Sequence, residues 1–305
     1  MQSTVNYANG KVSYWMASTV QERVDRPPLS SSSQVDVAIV GAGFTGLWAA
    51  YYLSEAAPHL SVSIVEAEHV GYGASGRNGG WLSHLVPGIR TRYSRTPAGH
   101  DGAVALQRAM VQGIDEVLRV ADAQAIDADQ WRGGNLILAS TPAGLERLRR
   151  RREADLRYGL SDEESRLLTA EETRARVNAH GVLGGLYYPC VARIHPAKMV
   201  TGLARVVEAR GVRIYERSPV VRVERGIVAT AHASLTARHI LVCTEGYSGP
   251  ILGRRRIIPI NSSMIVTEPL SAADWQRIGW ESFECLGDTA HIFIYAQRTA
   301  DGRIA

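Results

Sequence analysis

Val35–Leu53, VDVAIVGAGFTGLWAAYYL, runs from an apolar strand through a glycine turn into a helical pattern. Gly41, Gly43 and Gly46 form G-x-G-x-x-G within it. In that spacing the first glycine permits a sharp strand-to-helix turn and the second lets backbone approach a pyrophosphate. The third lets the helix pack closely on the strand, and the phosphate charge sits at the helix amino end. The glycines alone are a weak signal, but the strand Val37–Val40 precedes them and a second strand, LSVSIVEAE (Leu60–Glu68), follows the helix. Glu66 stands 20 residues beyond Gly46, where an acid accepts hydrogen bonds from ribose hydroxyls and disfavours the 2′-phosphate of NADP. The stretch is read as a βαβ dinucleotide cradle with a right-handed crossover. FAD and NAD share such a cradle.

Residues 1–33 show no sustained periodicity and end in RPPLSSSSQ (Arg26–Gln34), a linker composition. Inside them SYWMAS (Ser13–Ser18) reads as a clasp packing Tyr14 and Trp15 on the body. Downstream, an amphipathic helix is expected over Gly102–Ala121, with Val104, Met110, Val111, Ile114, Val117 and Leu118 on one side. Gly133–Ser140 reads as a strand and Leu145–Tyr158 as another helix. HPAKMVTGLARVVEARG (His195–Gly211) is a clear helix, with Pro196 in its first turn, Met199, Val200, Leu203, Val206 and Val207 as its stripe and Gly211 as its C-cap. Four strand-like runs follow, VRIYE, VVRVE, GIVATAHA and RHILVCTEGY, with Gly226 in a tight turn. HIFIYAQ (His291–Gln297) alternates as a strand does, Ala300–Gly302 supplies a turn, and RIA begins a return strand. A hairpin whose second strand has three residues leaves backbone groups without partners, so a truncated chain is expected.

Composition narrows the function. With 305 residues, 45% of them hydrophobic and 21% charged, the chain is an ordinary globular mix of one large unit or two domains. The net charge is +4, but the basic residues are nearly all Arg, with Lys only at 11 and 198. That skew reads as compositional bias, so no nucleic-acid partner is expected. Arg149–Arg152, among Leu145, Leu148 and Leu156 at helical spacing, and GRRRII (Gly253–Ile258) read as solvated faces. No apolar run reaches the roughly 18–20 residues of a membrane span, and the first residues lack a secretory pattern. Cys190, Cys243 and Cys285 are far apart without C-x-x-C pairing, so neither a metal site nor a disulfide framework is expected, and a reducing cytoplasmic location fits.

A second glycine cluster, GASGRNGG (Gly73–Gly80), bears on the choice of nucleotide. Together, DVAIVGAGFTGLWAAYYL, GASGRNGG and RIHPAKMVTGLARVVEARGVRIYE resemble FAD-dependent amine and amino-acid oxidases of the D-amino-acid-oxidase superfamily. SYWMAS, CTEGYSGPILGRRRIIP and MIVTEPL are similar to the γ-glutamylputrescine-oxidase-like branch, and the resemblance spans roughly Ser13–Ala305. It implies an α/β fold: a Rossmann-like FAD-binding domain with a mixed α+β substrate domain built around an antiparallel sheet. The expected division is an N-terminal arm and linker (1–33), the FAD-binding domain in two parts (34–105 and 195–260), a substrate/helical domain (106–194) and substrate-domain strands (261–305).

The resemblance also implies residue roles. Gly41, Ala42, Gly43, Phe44, Thr45 and Gly46 cradle the FAD pyrophosphate, and Glu66 with Ala67 meets the adenosine ribose. Ala74–Gly80 passes beside the pyrophosphate and ribityl chain toward the isoalloxazine. Gly76, Gly79 and Gly80 let backbone lie against a planar ring, while Ser75, Arg77 and Asn78 offer donors. Val220 or Val221 matches the place where relatives use backbone against adenine, and Thr244 in CTEGY matches a strand end at the dinucleotide. No His or Cys matches the covalent attachment points of relatives, so FAD is expected to be non-covalent. Beyond the DGRI strand, relatives continue into a glycine-rich segment and a helix that close over the flavin.

The implied chemistry is oxidation of a C–N bond in a small amine or amino acid, with a hydride passing to flavin N5, imine hydrolysis, and O2 reoxidation giving H2O2. Trp81, His84 and Tyr295 are candidates to face substrate, although Trp81 reads equally as core packing and His84 as a satisfied polar group. Tyr187 and Tyr188 are weaker candidates, His195 reads as structural, and Arg193 is a candidate partner for a substrate carboxylate. Two alternatives stay open: an NAD-dependent dehydrogenase on the same cradle, and a catalytically impaired truncated module.

Overall fold

The computed structural model describes residues 13–19, 21, 24–253, 257–258, 260 and 262–305. The arginines of GRRRII lie outside the described residues. The chain divides into two compact units: one of Met1–Asn78, Ile126–Ala128 and Pro196–Ser263, the other of Gly79–Ala125, Asp129–His195 and Met264–Ala305. The boundaries expected at 105/106 and 260/261 therefore fall at 78/79 and 263/264.

The first half of the chain contains α1 (Tyr14–Ser18), β1 (Ser33–Val40), α2 (Phe44–Ala56), β2 (Val62–Val65), β3 (Trp81–Leu82), α3 (Arg90–Tyr93), α4 (Gly99–Ala123), β4 (Asn135–Ala139) and α5 (Pro142–Arg157). The second half contains β5 (Arg166–Thr169), α6 (Ala170–Arg176), β6 (Gly184–Tyr188), β7 (Ala192–Arg193), α7 (Pro196–Ala209), β8 (Arg213–Tyr215) and β9 (Val220–Glu224). It ends with β10 (Ile227–Thr230), β11 (Ser234–Val242), α8 (Gly249–Leu252), α9 (Ala272–Ile278), β12 (Cys285–Asp288) and β13 (Tyr295–Ala296).

The first unit is built on a six-stranded sheet in the order β8-β2-β1-β11-β10-β9. Its first four strands are parallel, and β10 and β9 turn back antiparallel through Gly226 at φ +80°. Ala38, Val40, Val65, Val228 and Leu235 fill one core of this sheet, as the apolar runs of those strands require. The amphipathic α7 buries Met199, Val200, Leu203 and Val207 of the expected stripe, and Gly211 follows at φ +89°. A Cβ on Gly202 would sit 2.5 Å from Ile126, the close approach that brings Ile126–Ala128 into this unit.

RPPLSSSSQ is not a slack linker. Arg26 and Leu29 are both buried, Arg26 through a fork to the Glu208 carboxylate (2.7 and 2.8 Å) and a third bond to Glu216 at 3.1 Å. Prolines and serines gave the flexible composition; the buried ion cluster overrides it. Trp15 of the clasp is likewise buried, so SYWMAS packs on the body through its indole.

The second unit centres on a five-stranded sheet in the order β13-β12-β4-β6-β5. Its neighbours are antiparallel except β12 and β4, which run parallel. Ile137, Leu148, Leu160, Leu186 and Cys285 form a core on it. The long helix spans Gly99–Ala123, but of the expected stripe only Ile114 is fully buried; Ala103 and Gln107 share that face. Arg149 and Arg150 are exposed, as expected of a solvated face, but Arg151 lies over the buried Tyr188 ring at 5.5 Å and the half-buried Arg152 donates to Ser165 O at 3.2 Å. The β3–β7 ribbon, with Trp81 opposite Arg193, holds the stretch after Gly79 in this unit.

HIFIYAQ is a strand only at Tyr295–Ala296. Asp288 Oδ1 accepts from Ala290 N and Ile294 N at 3.2 and 3.3 Å, so the preceding residues wrap a carboxylate as a loop and Ile292 is left 94% exposed. The hairpin itself forms: Gln297 N donates to Ala305 O at 2.9 Å and Ala305 N to Gln297 O at 3.0 Å.

Candidate functional site

In the first unit the register aligns the carboxyl ends of three parallel strands, with Val40 opposite both Val65 and Val242. Gly41, Glu66 and Cys243–Thr244 leave the sheet side by side as a result. The carboxyl edge of a doubly wound sheet, where the chain departs to both sides, is where such folds bind ligands.

The glycine turn is held from both flanks: Gly41 N donates to Val65 O at 2.9 Å and Cys243 N to Val40 O at 2.8 Å. Gly41 adopts φ +105°, and a Cβ there would lie 2.6 Å from Cys243 O and 3.6 Å from the Thr244 methyl. On Gly43, the N-cap of α2, a Cβ would lie 2.9 Å from Ser75 Oγ. On Gly46 a Cβ would collide with Gly41 O. All three positions thus keep space that only glycine leaves, and a diphosphate needs that space to reach backbone. Thr45 is exposed in the first turn of α2, where helix N–H groups lack intrahelical acceptors.

Glu66 Oε2 accepts from Ala42 N at 2.8 Å and Oε1 from Glu68 N at 3.0 Å. Burial raises its pKa and these backbone donors offset part of the rise. Ala67 is exposed beside it. Ser218 N donates to Glu66 O at 2.8 Å, which brings the start of β9 alongside; the Val221 side chain points outward, 62% exposed. Thr244 Oγ1 shares a hydrogen bond of 2.9 Å with Ser248 Oγ.

The second glycine cluster folds as a short turn at Ala74–Gly76. Ser75 Oγ accepts from Phe44 N at 2.8 Å and so touches the first glycine turn directly. Arg77 lies over the Tyr72 ring at 4.4 Å, and the Asn78 amide donates to Ala74 O and Ser75 O at 3.1 and 3.0 Å. Ser13 Oγ donates to Gly76 O at 2.7 Å and Trp15 Nε1 to Asn78 O at 2.9 Å. The clasp therefore fixes the carbonyls of this loop.

In the second unit, Gly79 and Gly80 continue the cluster. A Cβ on Gly79 would collide with the Tyr295 ring, and Gly80 adopts φ +70°. Gln297 is buried and donates through Nε2 to Gly79 O at 2.7 Å and Ile194 O at 3.3 Å, while Ile194 N donates to Gly80 O at 2.7 Å. Gln297 was not anticipated, since a lone amide at the end of an alternating run carries no motif.

Trp81 stacks edge-on with Tyr295, ring centroids 5.6 Å apart, and its Nε1 is buried with no acceptor among the described residues. His84 is 1% exposed against Tyr188, ring centroids 4.2 Å apart, and burial lowers its pKa to about 4. That position suits a neutral core histidine better than a substrate-facing one. Tyr187 and Tyr188 are core residues as well, their hydroxyls donating to Gly133 O at 3.0 Å and Asp155 Oδ2 at 2.6 Å. No cluster of metal-ligating side chains occurs among the described residues, nor any helix long and apolar enough to cross a membrane.

Comparison with known proteins gives this geometry a family. Residues 36–305 match the model of the FAD dependent oxidoreductase family, DAO. The chain is 32% identical to gamma-glutamylputrescine oxidoreductase of Escherichia coli (strain K12) over 90% of its own length and 65% of that protein's. It is 30% identical to the probable oxidoreductase OrdL of Haemophilus influenzae over 81% of its length and 58% of that protein's. The chain thus spans less than two thirds of either relative. Among solved structures, glycine oxidase from Geobacillus kaustophilus superposes with TM-score 0.67 at 19% identity, covering 89% of this chain and 70% of that one. L-amino acid deaminase from Proteus myxofaciens superposes with TM-score 0.68 at 16% identity, covering 92% and 60%. These two show the fold, and the family model shows membership: the chain belongs to the DAO family of FAD-dependent oxidoreductases.

Proposed function

We propose that this protein oxidises the C–N bond of a small amine or amino acid, using non-covalent FAD and O2 as electron acceptor. The observation that carries the reading is the junction of the two glycine clusters, where Ser75 Oγ meets Phe44 N at the amino end of α2 and Glu66 holds Ala42 N. Bound FAD supplies the two-electron acceptor. Gly41–Gly46, including Ala42, Phe44 and Thr45, would hold its pyrophosphate, and Glu66 with Ala67 its adenosine ribose. Backbone at Val221 would meet the adenine, with Thr244 at the adjoining strand end. Ser75, Gly76, Arg77, Asn78, Gly79 and Gly80 would line the path from pyrophosphate to ring, with Trp81 and Tyr295 beyond it. Non-covalent binding is supported by the thiols: burial pushes Cys190 up to about 11 and raises Cys243 and Cys285, so none is an activated nucleophile.

The likeness to gamma-glutamylputrescine oxidoreductase favours a γ-glutamylated or similarly substituted diamine as substrate. The test is purification with FAD, followed by anaerobic addition of amines. The expected outcome is a visible flavin spectrum that bleaches with a specific amine and returns, with H2O2, on admitting O2. A protein that takes up no FAD on reconstitution, or turns over NADH without flavin, would defeat the proposal.

A further inference from the structure

Gln297, in the second unit, is 1% exposed, and one side of its amide is fully committed. Nε2 donates to Gly79 O at 2.7 Å and to Ile194 O at 3.3 Å. Two carbonyl oxygens can be served only by N–H groups, so the amide cannot be turned about: with Oε1 on that side, three acceptors would face one another. Oε1 is thereby fixed on the other side, where it is buried without a donor among the described residues. An unserved buried acceptor is costly. A methionine would fill the same space without that cost, so the amide is kept for its donors and not for its bulk.

The neighbouring bonds show what those donors hold. Gln297 N and Gln297 O are both paired with Ala305, at 2.9 and 3.0 Å, so the hairpin fixes the backbone from which the amide reaches. Ile194 N donates to Gly80 O at 2.7 Å. The carbonyls of both glycines are thus tied, Gly79 O by the side chain of Gln297 and Gly80 O by the backbone of Ile194. Nε2 joins the two anchors through Ile194 O. The glycines cannot fix themselves: Gly80 stands at φ +70°, a Cβ on Gly79 would collide with the Tyr295 ring, and glycine has the widest backbone freedom of any residue. A backbone that must lie against a planar ring needs glycine for approach and a brace from outside for rigidity.

We propose that Gln297 is a positioning residue for the flavin ring, acting through the carbonyl of Gly79 by its N–H donors. This rests on the FAD reading above, in which Gly79 and Gly80 lie along the path to the ring.

The test separates the two ends of FAD. ADP carries the adenosine and pyrophosphate that Gly41–Gly46 and Glu66 would hold, and it lacks the ring, so a brace at Gly79 should matter for FAD and not for ADP. Dissociation constants for both are measured by calorimetric titration of the flavin-free full chain. Gln297→Met keeps the length of the side chain and loses the amide, whereas Gln297→His offers one ring N–H in its place. Gln297→Met should weaken FAD binding about 10-fold, because ordering a freed loop then opposes binding, and should leave ADP binding unchanged. Gln297→His should fall between Gln297→Met and the wild type for FAD, again with ADP unchanged, and carries the test alone if Gln297→Met does not fold. A folded variant that binds FAD as the wild type does overturns the proposal, since the loop then needs no brace. Equal losses of FAD and ADP overturn it too, since the substitution then disturbs the fold at large. Gln297→His as weak toward FAD as Gln297→Met would show that the N–H groups are not what positions the ring. A wild-type protein that binds ADP and refuses FAD removes the FAD reading itself, and the role of Gln297 falls with it.

Discussion

The two glycine clusters are held in different ways. In Gly41–Gly46 the glycines defend contacts with neighbouring backbone: Gly46 against Gly41 O, and Gly41 against Cys243 O. In Gly73–Gly80 much of the support comes from far along the chain, through Ser13, Trp15 and Met16 at Gly76–Asn78 and through Tyr295 and Gln297 at Gly79. The first is braced by backbone in a regular parallel register, whereas the second, backed by backbone where Gly76 meets Gly71 O, owes much of its shape to remote side chains. The first should fail by backbone collision, the second by loss of a buttress.

The largest effect is expected at Gly46→Ala. The added methyl meets a carbonyl oxygen that cannot move without breaking the strand-to-helix turn, so the loss should exceed about 3 kcal/mol. A denaturant midpoint close to wild type would show that this turn is softer than its geometry. Next comes Trp15→Ala, which empties a buried indole site and should cost about 3 kcal/mol. Trp15→Phe keeps most of the apolar area, loses the bond to Asn78 O, and should cost about 1 kcal/mol. Equal losses in the two variants would mean that the indole N–H, not packing, fixes the loop.

Acid sharpens the comparison just beyond the second cluster. His84 is buried neutral with its pKa down to about 4, whereas an unfolded histidine titrates near 6.5. Between those values the unfolded chain binds the extra proton, so stability is complete above about pH 6.5 and falls as pH drops toward 4. The loss should reach about 2 kcal/mol by pH 5, at about 1.4 kcal/mol per pH unit. His84→Phe should flatten that part of the pH–stability curve; a wild-type curve already flat from pH 7 to 5 would show that His84 finds a proton acceptor.

This contrast explains what sequence reading reached. The strand–turn–helix of Val37–Gly46 and the placing of Glu66 were legible because every contact that defines them lies within about 30 residues or in a regular parallel register. The stripe of α7 was legible because its buried residues are apolar at helical spacing. Where polar groups do the packing, the pattern went silent: Gln107 occupies the buried face of α4 because its amide donates to His84 O at 2.8 Å, and no apolar periodicity marks it. RPPLSSSSQ misled for the same reason, since Arg26 is buried through acids 182 and 190 residues away. Arg193 was read as a candidate partner for a substrate carboxylate; that its buried Nε meets no acceptor among the described residues is a fact of three dimensions.

The smallest effect tests the remote buttress itself. At Gly79 the obstacle to a methyl group is the Tyr295 ring, a side chain able to swing, rather than a carbonyl. Gly79→Ala should therefore cost about 1 kcal/mol, less than Gly46→Ala by a clear margin. Tyr295→Ala alone removes a half-exposed ring stacked on Trp81 and should cost a similar amount. The two losses should not add: with the ring gone the methyl has room, so the double variant should be no less stable than Tyr295→Ala, a coupling of about 1 kcal/mol. Gln297 continues to hold Gly79 O in all three proteins, which keeps the backbone of the loop in place while the side-chain clash is switched on and off. Strict additivity would mean that Gly79 is needed for its backbone freedom, as Gly41 is, and the two clusters would then be built on one principle.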